Sequence, residues 1–373
     1  MGQRTLARPL ALLLAALIAY ASLYPFEGWR LQGGDALSFL WAPFPRFWTA
    51  FDVWANLLGY VPLGFLTVLV AIRSGGSRWV VVLAFFLPGL LSLAMETAQV
   101  FLPGRVASNV DWLLNTAGGL LGSSVALLLS RTRWLDPWQR WRSDWFEADA
   151  HGALLLLALW PVALLYPTSL PFGLGQVWGA VESAVAQALV DTALAQWVPV
   201  RLPYAQPLSP AAQAFCVALG LLAPCLLSFS VLRGVARRLP TLLGLWGLAV
   251  GGMGLSSALT YNPAHAWIWL TPPVLAGMGM GLVAGLLGMA LSRRACVVWL
   301  VWVVLAGLAL LNNAPVTPYL AESLNVWAQG RFIRFHGLTQ WLGWLWPYAV
   351  MLHAAVQISW RRSAHALDTQ VPR

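Results

Sequence analysis

Hydrophobic residues occur along this chain in long continuous runs that are separated by short polar segments. A helix needs about 20 apolar residues to cross a bilayer, whereas a spanning β-barrel would show short segments of alternating polarity. The runs lie at about 9–25, 51–72, 79–101, 110–130, 152–170, 210–232, 239–261, 266–291, 295–313 and 339–360. The pattern therefore predicts an all-α fold, a polytopic transmembrane helical bundle of about ten spans.

Composition supports a membrane protein and argues against a nucleic-acid partner. Of the 373 residues, 59% are hydrophobic and only 9% are charged, whereas about 25% of a typical soluble protein is charged. The net charge of +9 comes from arginine, because the chain contains no lysine. In a membrane protein such an excess indicates topology. The expected partner is the lipid bilayer, and no nucleic acid.

The distribution of arginine predicts the orientation of the spans. Cytoplasmic segments of membrane proteins carry the larger number of Arg and Lys residues. With the N-terminus inside, sixteen of the 22 basic residues fall in inner segments and six fall in outer ones, namely Arg30, Arg46, Arg105, Arg201, Arg331 and Arg334. Both termini are therefore predicted to be cytoplasmic, and the loop 102–109 is predicted to be periplasmic.

The first apolar run has a second interpretation. Arg4 and Arg8 precede the run, and the sequence 19–21, Ala-Tyr-Ala, fits the cleavage site of a secretory signal peptide. Whether this span is retained or cleaved stays open. The topology of the remaining chain is the same in both cases.

A polar segment rich in Arg and Trp divides the chain. We predict a membrane domain of about four spans at 1–130, a cytoplasmic Arg/Trp-rich linker at 131–150, and a C-terminal membrane domain of about six spans at 151–373. The role of the last domain is unassigned. An interfacial helix is expected within 177–198, and a polar outer loop at 312–338 is expected to join the last two spans.

Ionisable and amide side chains are concentrated in one stretch of the apolar chain, at 95–122. They lie near the end of one run, in the following turn and at the start of the next run: Glu96, Gln99, Arg105, Asp111 and Asn115. Residues three or four positions apart project from the same face of a helix. If both runs are helical, these side chains meet across a short turn and form a polar cluster.

Part of this cluster is repeated earlier in the chain. The pattern Asp-x-x-x-Asn-x-x-Gly occurs twice, as Asp52, Asn56 and Gly59 and again as Asp111, Asn115 and Gly118, so we include Asp52 and Asn56 in the predicted polar cluster, which then has seven residues. Each copy opens a predicted helix. We expect the aspartate to cap the helix N-terminus and the asparagine to lie one turn below it. The glycine is expected to let a neighbouring backbone approach.

The polar cluster permits two interpretations. A carboxylate in the membrane costs roughly 2.5 to 3.5 kcal/mol and needs a partner, which Arg105 could supply to Glu96. The cluster could then simply tie helix ends together. Alternatively it forms a pocket in which Arg105 binds a phosphate or carboxylate and Glu96 or Asp111 acts as acid or base.

No nucleophile, cofactor or metal site is predicted. The hydroxyl residues near the cluster, Thr97, Ser108, Thr116 and Ser123, have no adjacent base by spacing. The histidines and cysteines are scattered without the spacing of metal ligands, at His151, His265, His336, His353, His365, Cys216, Cys225 and Cys296. We therefore expect no metal ligand and no cofactor.

These residues resemble the VanZ-like family of bacterial integral membrane proteins. The resemblance consists of Asn56 with Pro62-Leu63-Gly64, then Glu96-x-x-Gln99, Arg105 in the turn, and Asp111-x-x-x-Asn115-x-x-Gly118. It covers about the first third of the chain. It implies a multi-pass protein of the inner (cytoplasmic) membrane and a role in the cell envelope. The founding member is associated with low-level resistance to the glycopeptide teicoplanin.

Three functional hypotheses follow from the cluster and the resemblance. The first is a binding or accessory role in the envelope, with an envelope lipid or a peptidoglycan precursor as partner. The second is a membrane enzyme that acts on a lipid-linked phosphate or another envelope precursor. The third is a transporter, although the predicted C-terminal spans contain no acidic residue. The oligomeric state stays open.

Overall fold

The computed structural model describes residues 7–24, 26–30, 35–45, 50–132, 135–190, 192, 208–261, 263–314 and 333–368. All regular secondary structure in these ranges is helical, so the all-α prediction is confirmed. The chain divides into two compact units, an N-terminal unit of Met1–Arg142 and a C-terminal unit of Ser143–Arg373. The boundary falls inside the range predicted as a linker. The division of the chain into functional domains stays a prediction.

Five helices and one short 3-10 turn make up the described part of the N-terminal unit and its boundary. The helices are α1 (Ala7–Leu23), α2 (Ala50–Arg73), α3 (Arg78–Gln99), α4 (Asn109–Arg131) and α5 (Leu135–Trp145), and the 3-10 turn is Ser38–Trp41. Of these, α2, α3 and α4 are long and apolar enough to cross a membrane. The apolar helix α1 is shorter.

Seven α-helices and two short 3-10 helices, Val235–Arg237 and Pro263–His265, are described in the C-terminal unit. The α-helices are α6 (His151–Ala163), α7 (Trp178–Leu189), α8 (Pro210–Val231), α9 (Arg238–Thr260), α10 (Pro272–Gly288), α11 (Arg293–Asn312) and α12 (Ile333–Asp368). The helices α8, α9 and α11 meet the same criteria for spanning, whereas α6 and α10 are shorter apolar helices. Six candidate spans are thus shown in the described residues. The count of ten and the position of the termini stay predictions.

Glycines bring the backbones of α2 and α4 into direct contact. A Cβ atom at Gly118 would lie 1.9 Å from the carbonyl oxygen of Leu57, and one at Gly122 would lie 1.9 Å from that of Val61. Both pairs advance by four residues, so the two helices run parallel. On the neighbouring face of α4, a Cβ at Gly119 would lie 2.6 Å from the ring of Pro88 in α3. The helix α4 therefore packs against both α2 and α3 through residues without side chains.

Prolines inside two helices free carbonyl groups, and other residues bond them. Pro88 has no N–H to donate to Ala84, and the Thr67 hydroxyl donates to the Ala84 oxygen instead, at 3.0 Å. In the C-terminal unit, Pro347 likewise frees the oxygen of Gly343, which accepts the N–H of Gly175 at 2.8 Å. Such replacement partners allow proline inside membrane helices.

The fifth predicted span, 152–170, is helical only as far as Ala163. Pro167 disfavours helical backbone at the preceding residue, so the apolar run continues without a helix. Most of the segment 164–175 is nevertheless buried. Non-helical backbone at membrane depth requires such burial in protein. The prediction of a continuous helix across 152–170 was therefore wrong.

The C-terminal unit has a core of large apolar side chains. Trp160, Phe172 and Phe229 are the largest fully buried side chains in the described residues, and all three belong to one cluster of this unit. At the start of the unit, Glu147 forms ion pairs with Arg233, at 3.5 Å, and with Arg293. These pairs join the segment before α6 to the residues that follow α8 and to the start of α11.

Candidate functional site

Glu96 lies in the last turn of α3 and holds the turn that leads into α4. Its side chain is only 4% exposed, and its Oε2 accepts the backbone N–H of Ser108 at 2.8 Å. Ser108 is the N-cap of α4, and its hydroxyl oxygen accepts the N–H of Asp111 at 3.3 Å. A carboxylate placed before a helix N-terminus is stabilised by the free N–H groups and by the helix dipole.

Four buried polar residues from α2, α3 and α4 meet at one point, and we call them the three-helix junction: Tyr60, Ser92, Glu96 and Asn115. Each is at most 5% exposed. The Asn115 amide donates to the Ser92 hydroxyl at 3.0 Å. The Tyr60 hydroxyl lies beside that of Ser92 and near the Glu96 carboxylate, although it makes no hydrogen bond of normal geometry. The junction thus joins α2, α3 and α4 through polar groups.

Several polar atoms in and around the junction have no hydrogen-bond partner among the described residues. They are buried atoms of α2 and α4: Asn56 Nδ2, Tyr60 Oη, Asn115 Oδ1 and Thr116 Oγ1. An unsatisfied buried polar atom costs about 1–3 kcal/mol. The site therefore offers both donors and acceptors to a bound polar group or to ordered water.

Gln99 and Arg105 contact a different element, the C-terminal end of α1. The Gln99 amide donates to the oxygen of Ser22 at 3.1 Å. The Arg105 Nη2 donates to the oxygens of Ala21 and Tyr24, at 3.0 and 2.6 Å, and its Nε donates to Tyr24 at 3.0 Å. A cation that bonds the last carbonyls of a helix stabilises that end. These bonds assign Arg105 a structural contribution, and a direct contact between Glu96 and Arg105 stays a prediction.

The two copies of the Asp-x-x-x-Asn-x-x-Gly pattern, in α2 and α4, occupy equivalent structural positions only in part. Asp52 and Asp111 lie in the first turns of α2 and α4, but the N-cap of α4 is Ser108, so the prediction that Asp111 caps its helix was wrong. Gly118 meets the backbone of α2, but a Cβ at Gly59 would have no atom within 4 Å. The predicted role of the glycine was therefore correct for Gly118 and wrong for Gly59. In α2 the close approach occurs at Gly64, where a Cβ would lie 2.0 Å from an oxygen of α4.

Two junction residues, Tyr60 and Ser92, were missed at the level of sequence. A signal existed, because Tyr60 follows Asn56 by four residues and Ser92 precedes Glu96 by four. Each pair therefore lies on one helix face. A buried serine and a buried tyrosine are common in apolar helices, and nothing in the sequence shows that they face one another.

Three of the four hydroxyls considered as nucleophiles are hydrogen-bonded to backbone groups. Thr97 donates to Leu93 within its own helix, Ser108 caps α4, and Ser123 donates to the oxygens of Gly64 and Phe85 at 3.2 and 3.3 Å. The described residues contain no group of three His, Cys, Asp or Glu side chains that could hold a metal ion. Most of the loop predicted at 312–338 lies outside the described residues.

Comparison with known proteins supports the resemblance found in the sequence. Residues 10–130 match the model of the VanZ/LLP1 family, so the resemblance of the N-terminal third is confirmed. The matched range contains all seven residues of the predicted cluster. No curated protein and no solved structure matches the chain.

Proposed function

We propose that the N-terminal unit is a VanZ-like membrane module that binds a component of the bacterial cell envelope. Its role would be a binding or accessory one, linked to the response to glycopeptides such as teicoplanin. An envelope lipid or a peptidoglycan precursor is the class of ligand that we expect. The match of residues 10–130 supports the membrane setting and the family. The unused hydrogen-bonding capacity at the three-helix junction carries the proposal of binding.

A comparison within the same three helices supports this role. Near the N-terminal half of α3, Thr67 and Ser123 each make two hydrogen bonds to backbone oxygens, so the polar groups there are well satisfied. At the other end of α3, the junction leaves polar atoms without partners in the described residues. A structural tie alone would gain from pairing these atoms. A binding site needs them available.

The proposal includes an orientation. We infer that the protein is an inner-membrane protein of about ten spans with both termini in the cytoplasm, which places the junction near the outer leaflet. The arginine distribution supports this orientation. It is testable because Val106, in the turn after α3, is 87% exposed, and the three native cysteines are buried.

A Val106→Cys variant should react with a membrane-impermeant maleimide in intact spheroplasts. The wild-type chain serves as the control for labelling of Cys216, Cys225 and Cys296. Labelling of the Val106→Cys variant only after the inner membrane is permeabilised would contradict the proposed orientation.

The binding role is tested with near-isosteric variants in a host that depends on the chain for teicoplanin tolerance. Glu96→Gln and Asp111→Asn should abolish tolerance while the protein accumulates and melts normally in detergent, because each variant retains an acceptor oxygen. Ser124→Ala is the matched control, since this exposed hydroxyl bonds only its own helix. Tolerance that falls only in proportion to the amount of folded protein would favour the structural interpretation of the cluster.

A further inference from the structure

A groove of about 710 Å³ lies on the N-terminal unit between one face of α3 and the segment that follows α1. Leu90, Leu93 and Ala94 of α3 form one wall, and Trp29 and Leu37 contribute to the other. The hydroxyl of the one threonine in the wall is bonded within its own helix. The groove is therefore apolar along most of its length, and its volume is in the usual range for ligand sites.

The groove is continuous with a surface that suits lipid. Only 17% of the most apolar stretch of α3 is buried. Leu83, Phe86 and Leu87, further along this helix, are all at least 49% exposed. The segment on the other side of the groove carries exposed aromatic residues, including Trp41 at 84%. Tryptophan of this kind is typical of the membrane interface. An acyl chain can therefore enter the groove from the bilayer.

Arg30 supplies a cation at the groove. It lines the groove and is exposed, and its backbone N–H is fixed on the oxygen of Phe101 at 2.9 Å. Within the described ranges no hydrogen bond or ion pair holds its guanidinium, in contrast to Arg105. Of the acidic residues in the same segment, Asp35 accepts the N–H of Leu37, and Glu27 is exposed.

We propose that this groove binds one acyl chain of an anionic phospholipid whose phosphate pairs with Arg30. The apolar wall recognises the chain, and the guanidinium recognises the phosphate by charge-assisted hydrogen bonds. The inference goes beyond the proposed function, because it uses none of the residues of the three-helix junction. It holds or fails whatever the junction binds.

The test is native mass spectrometry of the delipidated full-length protein in detergent. Phosphatidylglycerol is titrated against diacylglycerol with the same acyl chains, which lacks the phosphate. The wild-type protein should retain one phosphatidylglycerol about tenfold more tightly than diacylglycerol. Arg30→Gln should remove this preference and leave diacylglycerol binding unchanged. Ala94→Phe, at an exposed position in the wall, should weaken both lipids about tenfold.

Arg131→Gln is the matched control, because Arg131 is an exposed arginine at the end of α4 and is not part of the groove. It should bind both lipids as the wild type does. Equal loss in Arg30→Gln and Arg131→Gln, or equal retention of the two lipids by the wild type, would overturn the proposal. Displacement of the lipid by millimolar inorganic phosphate would also overturn the proposal, since the acyl chain would then contribute nothing to the affinity. The proposal would equally fail if the lipid-free protein formed a dimer that Ala94→Phe abolishes, because the groove would then bind a second copy of the protein.

Discussion

The two units differ in what fills the space between their helices, although close glycine contacts occur in both: a Cβ at Gly277 of α10 would lie 2.4 Å from the oxygen of Ala214 in α8. In the N-terminal unit, α4 contacts α2 and α3 through Gly118, Gly119 and Gly122, and polar side chains meet where the backbones are close. In the C-terminal unit, large side chains such as Trp160 and Phe229 fill the space between helices. Packing through glycine leaves no room for bulky side chains, so close backbone packing and hydrogen bonds between polar groups stabilise the contact.

The largest expected effect comes from adding a side chain to the glycine contact. A Cβ at Gly118 would lie 1.9 Å from a backbone oxygen of α2, and a backbone cannot move aside as a flexible side chain can. Gly118→Leu should therefore cost about 3 kcal/mol or more and lower the melting temperature in detergent by about 6 °C or more. Thermal unfolding followed by size-exclusion chromatography measures this change.

Gly59→Leu is the control, because a Cβ at Gly59 would have no atom within 4 Å. This variant should melt close to the wild type. Similar melting temperatures for Gly59→Leu and Gly118→Leu would show that α2 and α4 do not approach as closely as the structure has them.

A smaller effect is expected from replacing the arginine that hydrogen-bonds backbone oxygens at helix ends in each unit. Arg238 is 4% exposed and donates to the oxygens of Phe229, Met289 and Leu291. Arg105, which is half-buried, donates to the end of α1. Arg238→Met should lower stability by about 2–3 kcal/mol, because it leaves buried carbonyls unpaired, and Arg105→Met should lower it by about 1–2 kcal/mol.

Hydrogen exchange measured by mass spectrometry shows which helices lose stability. Arg105→Met should increase exchange at the C-terminal end of α1 and leave the C-terminal unit unchanged. If Arg105→Met instead melts and exchanges as the wild type does but abolishes teicoplanin tolerance, Arg105 acts on a ligand and its structural assignment is wrong.

The sequence predicts the membrane class and most helices because both depend on local hydrophobicity. The helices α2, α3 and α4 begin and end within a few residues of the predicted runs. The failure at 152–170 has a local cause as well, since an apolar run does not reveal where proline ends the helix. Hydrophobicity alone cannot distinguish a spanning helix from buried non-helical backbone.

The candidate site was predictable only in its outline. Glu96 and Asn115 stand out because ionisable and amide residues are rare in membrane helices. That Gln99 and Arg105 contact α1 could not be predicted, because the partners are backbone oxygens, which every sequence supplies. Tyr60 belongs to the three-helix junction because α2 and α4 pack in parallel, and this packing is a tertiary feature.

The smallest expected effect comes from removing one buried hydroxyl in each unit, and the two removals should change the stability in opposite directions. The Tyr60 hydroxyl is buried beside Ser92 without a hydrogen bond of normal geometry, whereas the Ser256 hydroxyl donates to the oxygen of Leu165 at 2.9 Å. Removing an unsatisfied buried group is neutral or stabilising, and removing a satisfied one leaves its acceptor unpaired. Tyr60→Phe should therefore melt at or above the wild-type temperature, by up to about 2–4 °C. Ser256→Ala should melt lower by a similar amount.

The same two variants separate binding from structure at the junction. If the junction binds an envelope component, Tyr60→Phe should lose teicoplanin tolerance although its melting temperature does not fall, which is the trade of stability for function expected at a binding site. Ser256→Ala should lose tolerance only in proportion to the loss of folded protein. A fall in the melting temperature of Tyr60→Phe as large as that of Ser256→Ala would show that the Tyr60 hydroxyl is bonded in the folded protein. The junction would then be a structural tie, and the proposed binding role would lose the observation that carries it.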